Sequence, residues 1–473
     1  MNAGSGSGFL KGRLQSVYRR WQAIAGAEYD AGMASVRPGL PAEDRPLALA
    51  QMEACLEAQG GEILARARAA ALGQAYLALD ATGRRNFLRL MATEFDLDTR
   101  EIQEALDSFL AATTPDERRL SRRALRKATE SPRTRILTRF NALPEGVKFL
   151  VDLRAELIPM AREDPLLASL DDDLRDLLGS WFDVDFLELR RISWHTASGA
   201  LLEKFMAYEA VHPVESWADL KNRLDHDRRY FAFFHPRMPD EPLIFVEVAL
   251  VQGLADNIQD LLNPEGPQTD PEEADSAIFY SISNAQRGLA GISFGGFLIK
   301  RVVDRLAREF PNLTTFSTLS PLPGFLPWLL ETLFAEGDLL APGEEKKLRE
   351  ASGGRAPRAW LSGLLESGGW MGDQEMEDHL KAPLLRLAAR YVLQEKRRDG
   401  GALDPVAHFH LSNGARVQRL NWMADRSDKG LGQSGGIMAN YLYDAPRIEE
   451  NHEAYHGKGD VAASPGVRRL LKG

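Results

Sequence analysis

The sequence predicts an all-helical first part followed by a mixed α/β domain, and three observations carry that expectation. Up to about residue 178 the valines are Val17, Val36, Val147 and Val151, while alanine, leucine, arginine and glutamate dominate, a composition that forms helices and leaves little material for strands. From residue 190 the texture changes to strand-like runs at 229–235, 242–250 and 276–283, rich in aromatic and β-branched residues. The 473 residues also exceed what one hydrophobic core usually serves, so two domains are expected, 1–178 and 179–473.

In the first part, segments near 48–78, 82–111, 114–130 and 143–162 carry apolar residues at helical spacing. Phe87, Leu90, Met91, Phe95 and Leu97 are one such stripe, and Pro115, Pro132 and Pro144 read as breaks. No convergent polar groups stand out there, and Arg118-Arg119 and Arg122-Arg123 read as solvated faces or partner contacts. Cys55 is the single cysteine, which excludes an intramolecular disulfide and a cysteine-rich metal site and fits a reducing compartment.

The opening residues are Gly/Ser-rich and then basic, without the apolar stretch of a secretory signal, so a cytoplasmic protein is expected. No apolar run approaches the roughly 20 residues a membrane helix needs, and a net charge of -10 argues against a nucleic-acid partner.

In the second part, Pro264 to Glu273 reads as an exposed loop and Leu340 to Pro357 as a Gly/Pro-punctuated excursion between helices. Between them, the strand at 276–283 leads into Asn284-Ala-Gln-Arg-Gly-Leu-Ala-Gly-Ile-Ser-Phe-Gly-Gly296 and then a helical pattern from Phe297. Strand, glycine-rich loop and helix is an order that binds phosphate, because glycine backbones approach closely and a helix N-terminus attracts anions; the bland reading is a plain connection. A Walker loop is excluded by the missing Gly-Lys-Ser/Thr, and a dinucleotide fingerprint by the missing later acid. Gly291-Ile-Ser293-Phe-Gly295 has the form of a hydrolase nucleophile elbow but lacks the apolar strand directly before it.

Further on, a β-rich run stops at Ser320, where Pro321 and Pro323-Gly324 fix a non-helical backbone; a turn or cap serine is the bland reading. His408 and His410 stand at strand spacing, expected to face the same way. His452-Glu-Ala-Tyr-His456 fits the His-Glu-x-x-His pattern of zinc peptidases, but its flanks are not those of an apolar helix, and no metal site is expected.

Five strings in series then carry a resemblance: Gly-Gly-Phe-Leu-Ile-Lys-Arg-Val-Val (295–303), Ser-Thr-Leu-Ser-Pro-Leu-Pro-Gly-Phe (317–325), Phe-His-Leu-Ser-Asn-Gly-Ala (409–415), Asn-Trp-Met-Ala-Asp (421–425) and Met-Ala-Asn-Tyr (438–441). With Ala-Val-His-Pro-Val (210–214), their order and spacing closely resemble the malonyl-CoA decarboxylase family over about residues 180–456. The first part resembles that family's helical oligomerisation domain more loosely.

The resemblance implies an acetyltransferase-like (GNAT) second domain that holds malonyl-CoA and releases acetyl-CoA. The family's substrate-binding loop falls on Ala290, Gly291, Ile292, Ser293, Phe294, Gly295 and Gly296, its catalytic serine on Ser320 and its catalytic histidine on His410, with Ser317 and His408 passed over. Asn440 and Tyr443 are candidates for completing the polar pocket. The resemblance further implies a homo-oligomer, a tetramer, and no metal or organic cofactor.

Losing CO2 from a malonyl thioester leaves an enolate, which donors at the thioester oxygen and a proton source at the carbon can serve without an electron sink. His410 is the expected proton donor and Ser320 its partner. The alternative is an acyltransferase using the same coenzyme A loop.

Overall fold

The computed structural model describes residues 17, 19–25, 36–56, 61–182, 186–266, 269–292, 297–335 and 339–472. The chain forms two compact units: the first is residues 1–188 with the segments 234–243 and 284–293, and the second is residues 189–233, 244–283 and 294–473.

The first unit is helical, as its composition demands: α1 (Arg45–Leu56), α2 (Gly61–Ala78), α3 (Ala81–Glu94), α4 (Thr99–Ala111), α5 (Pro115–Ala128), α6 (Pro132–Arg139), α7 (Gly146–Ala161) and α8 (Pro165–Trp181). Pro115 and Pro132 open helices rather than merely breaking them. Each stands in the first turn, where a missing N–H is no loss. Thr114 and Glu117 close a capping box around the start of α5. An aromatic cluster of Trp21, Tyr76, Phe140 and Phe149 fills the core, with Trp21 edge-on to Phe149 at 4.9 Å. Gly73 passes so close to Trp21 that a Cβ there would stand 2.1 Å from the ring.

The second unit is built on a mixed sheet. Its elements are β1 (Glu188–Ile192), α9 (Gly199–Tyr208), α10 (Trp217–Arg223), β2 (Arg228–His235), β3 (Met238–Val251), α11 (Ile258–Leu262), β4 (Ser276–Asn284), α12 (Phe297–Glu309), β5 (Thr315–Thr318), β6 (Ser320–Pro321), α13 (Phe325–Leu333), α14 (Pro342–Ala351), α15 (Pro357–Ser367), α16 (Gln374–Leu393), α17 (Pro405–Ser412), β7 (Arg416–Asn421), α18 (Asp428–Ser434), β8 (Met438–Leu442), α19 (Ile448–Lys458) and α20 (Pro465–Leu470).

The strand order is β1-β2-β3-β4-β5-β8-β6, with β7 also on β8. β4 and β5 run parallel from Ser276 opposite Thr315 to Phe279 opposite Thr318, and there the pairing ends although β4 continues to Asn284. β8 runs antiparallel to β5, β6 and β7, so it carries the chain past the break at the buried Leu319. Ala249, Ile258, Leu261, Ile278, Tyr280, Leu319, Ala424 and Met438 form one apolar cluster against this sheet.

Two expectations change. Residues 340–357 are not merely an excursion between helices but contain one, because Pro342 starts α14 and Glu344 reaches back to the Ala341 N–H at 2.9 Å. His408 and His410 do not lie on a strand: Asp404 caps the start of α17 and Pro405 occupies its first turn, so residues two apart point to different sides.

Candidate active site

β5 and β6, α17 and the end of β8 bring four polar side chains together in the second unit. Thr318 and Ser320 come from the interrupted strand, His410 from the last turn of α17, and Tyr443 from just past β8, where its N–H donates to the Phe316 carbonyl at 2.9 Å. Ser320 Oγ stands 3.1 Å from His410 Nε2 and donates to Thr318 Oγ1 at 2.9 Å, while Tyr443 OH stands 2.8 Å from His410 Nδ1. All four are buried, His410 to 2% exposure.

One set of protons satisfies the whole chain. Ser320 has a single O–H, and it is spent on Thr318, so at the histidine Ser320 accepts from Nε2–H. Nδ1 is then the lone-pair side and takes the Tyr443 O–H. Burial drives the His410 pKa down to about 3, so the imidazole is neutral in ordinary buffers. Burial likewise raises the Tyr443 hydroxyl well above its ordinary value. Among the described residues no carboxylate stands behind Nδ1, which is where a nucleophilic serine triad would place one.

Apolar and aromatic contacts fix the ring. Tyr441 stacks on His410 with centroids 4.6 Å apart and planes 23° from parallel, and Phe409 meets it edge-on at 5.1 Å. Asn440 lies in the same wall, but its amide is spent on protein: it donates to Thr318 O at 2.8 Å and Ala255 O at 3.0 Å and accepts from Asn421 at 2.8 Å and Arg419 at 3.1 Å.

β4 contributes a second polar group that sequence reasoning missed. Parallel register puts Phe279 opposite Thr318, so Ser281 and Ser283 turn to the face that Thr318 occupies. Both hydroxyls donate to the Glu209 carboxylate, at 2.9 and 3.1 Å, and that carboxylate also accepts from the N–H groups of Val211 and His212. The alternation of serines at the end of a buried strand was the available signal.

The glycine-rich loop begins in the first unit. Arg154 of α7, paired with Asp171 at 2.9 Å, donates to the carbonyls of Gly288 at 2.7 Å and Ala290 at 2.8 Å. Gly288 must be glycine, since a Cβ would fall 1.7 Å from the Val151 carbonyl oxygen. Gly291 has φ +77°, which favours glycine, and Ile292 donates to Leu289 O at 3.1 Å. Ser293, Phe294, Gly295 and Gly296 lie outside the described residues.

His408, His452 and His456 make their contacts elsewhere. His408 Nδ1 bonds the Tyr455 hydroxyl at 2.7 Å, and the His452 and His456 rings lie 4.4 Å apart on α19 with His452 held by Ser412 O. Among the described residues no group of three or more His, Cys, Asp or Glu side chains is placed to hold a metal ion.

Comparison with known proteins bears on this arrangement. Residues 185–473 match the model of the malonyl-CoA decarboxylase C-terminal domain, and residues 95–182 that of the malonyl-CoA decarboxylase N-terminal domain. The mitochondrial malonyl-CoA decarboxylase of Rattus norvegicus is 38% identical over 414 residues, 83% of this chain and 82% of its own length. The crystal structure of malonyl-CoA decarboxylase from Rhodopseudomonas palustris superposes with a TM-score of 0.81 at 42% identity, covering 90% of this chain and 99% of that one. The enzyme from Agrobacterium vitis gives 0.81 at 39% identity, with 90% and 99% covered.

Proposed function

The chain belongs to the malonyl-CoA decarboxylase family, and on that premise we propose how its own residues carry the reaction. It is a carboxy-lyase that converts malonyl-CoA to acetyl-CoA and CO2. Acyl transfer to an amine is not favoured by the relatives it matches.

His410 is the proton donor and Ser320 is the group between it and the substrate. The bond from the malonyl α-carbon to its carboxylate breaks, the electron pair remains on the thioester enolate, and CO2 leaves. The Ser320 O–H turns from Thr318 to the α-carbon and delivers its proton there, and the His410 Nε2–H replaces it. Nδ1 takes the Tyr443 hydroxyl proton so that the imidazole stays neutral, and the tyrosine oxygen recovers a proton from solvent. The neutrality of the imidazole suits this order. An imidazolium would pair with the malonyl carboxylate and stabilise the ground state, whose charge is lost from that group in the transition state, so it would raise the barrier. Tyr443 keeps the reactive nitrogen facing Ser320, and Asn440 shapes the wall. The loop from Ala290 to Gly296 is the proposed coenzyme A seat, and no metal or organic cofactor takes part.

The observation that carries the reading is the buried chain Thr318–Ser320–His410–Tyr443. Ser320→Ala and His410→Ala are each expected to lower turnover of malonyl-CoA by on the order of 10² to 10⁴, measured as acetyl-CoA formed by chelator-treated protein with circular dichroism unchanged. Undiminished turnover in either variant removes that residue from the mechanism.

Two coarser matters complete the proposal. No helix among the described residues is long and apolar enough to cross a membrane. A cytoplasmic home is proposed, to be set against the mitochondrial relatives by cell fractionation. A homotetramer joined through the helical unit is the proposed assembly.

A further inference from the structure

Asp404 lies outside the chain Thr318–Ser320–His410–Tyr443, yet it touches the backbone supports of both Ser320 and His410. Its side chain is fully buried. One carboxylate oxygen accepts from the N–H groups of Val406 and Ala407 at 2.9 Å each, capping the helix that carries His410. The other accepts from the Gly324 N–H at 3.4 Å and the Tyr391 hydroxyl at 3.3 Å. Gly324 is four residues past Ser320, at the end of the Pro-Leu-Pro turn that follows it. Tyr391 comes from α16 and is itself locked by Phe325 and Trp328, with ring centroids 5.8 and 5.1 Å away.

The joint has no slack. A Cβ on Gly324 would stand 2.3 Å from the Tyr391 hydroxyl, so the turn after Ser320 is pressed against the same tyrosine that bonds Asp404. Ordinary helix capping needs one acceptor oxygen, and a serine or asparagine would supply it. The second oxygen has no capping duty. It ties the serine's turn and α16 to the histidine's helix, across 80 residues of sequence.

We propose that Asp404 is a positioning residue for decarboxylation: by capping α17 with one oxygen and binding the Gly324–Tyr391 joint with the other, it holds the His410 imidazole at hydrogen-bond distance from Ser320. The inference rests on the Ser320–His410 reading given above. It requires a carboxylate specifically, since asparagine keeps the cap but presents an NH2 where Gly324 N–H and Tyr391 O–H seek an acceptor.

Steady-state kinetics with malonyl-CoA on full-length Asp404→Asn, Asp404→Ala and Tyr391→Phe test it, together with 15N spectra of labelled histidine. Misplacing a reacting group by about 1 Å can cost on the order of 100-fold in rate. Asp404→Asn is therefore expected to lower kcat roughly tenfold and Asp404→Ala roughly 100-fold, with KM within about twofold of wild type. Tyr391→Phe should fall in the same direction, and the His410 ring 15N shifts should move in Asp404→Asn. A wild-type kcat in Asp404→Asn overturns the inference, as does a change confined to KM. If Asp404→Ala does not fold, the asparagine variant decides. Full turnover in His410→Ala would instead overturn the catalytic reading, so the two failures are told apart.

Discussion

Nothing near His410 among the described residues stabilises a charged ring. Its ring lies between the Tyr441 face and the edge of Phe409, and its two nitrogens meet only hydroxyls. Desolvation is the single cause of its lowered pKa, and no carboxylate pulls it back up. The ring should keep one form, proton on Nε2, across pH 5 to 8. Long-range 15N–1H correlation spectra of histidine-labelled protein are expected to show one protonated and one bare nitrogen for His410 throughout that range. A titration with a midpoint near 6.5 would mean that the site is wet or that a charge faces the ring. Ser320 and His410 were legible in the sequence through the strings around them, whereas Tyr443's contact with Nδ1 was not. That contact depends on β8 running antiparallel to β5, which places Tyr443 beside Phe316 some 127 positions earlier, and no local pattern announces it.

Strands carried by dense aromatic and β-branched runs were legible in the sequence, whereas a helix judged by the spacing of two residues alone was not. The strands at 229–235, 242–250 and 276–283 agree with β2, β3 and β4 because aromatic and β-branched runs have few other uses in a buried sheet. α17 was misread from the spacing of two histidines although Asp404-Pro405 is a helix start by side-chain chemistry. The glycine-rich connection was legible as a sequence, but its root depends on Arg154, 136 positions before Ala290, which only folding reveals. At this scale α4 and α5 stand out. α4 buries none of its side chains fully, and Leu110 at 72% and Leu120 at 55% exposure leave apolar surface on the pair. If the helical unit joins subunits through this hairpin, Leu110→Asp with Leu120→Asp is expected to lower the mass seen by light scattering while the melting temperature changes little. An unchanged mass would move the interface elsewhere.

For the molecule as a whole, burying neutral histidines ties folding to pH. His410 is held at about 3 by burial. Burial likewise outweighs the nearby Asp425 and Glu209 carboxylates to hold His212 at about 4. Both lie below the roughly 6.5 of an unfolded histidine, so the unfolded chain binds more protons as pH falls. The stability that depends on their neutrality is therefore complete above about pH 6.5 and declines as pH falls from there toward the folded values. At pH 5 each group costs about 2 kcal/mol relative to neutral conditions, since the unfolded histidine gains about 1.36 kcal/mol for every unit below its own pKa. Urea unfolding at pH 7.5 and pH 5 should show this loss. His410→Ala removes one of the two groups, so the variant is expected to lose about 2 kcal/mol less than wild type between the two conditions, even though it starts less stable. Equal losses in the two proteins would show that His410 is already charged in the folded state at pH 5. Because the proposed proton transfer by a neutral imidazole and the acid sensitivity of the fold both rest on the same desolvation, that result would also take away the argument against an imidazolium beside the malonyl carboxylate.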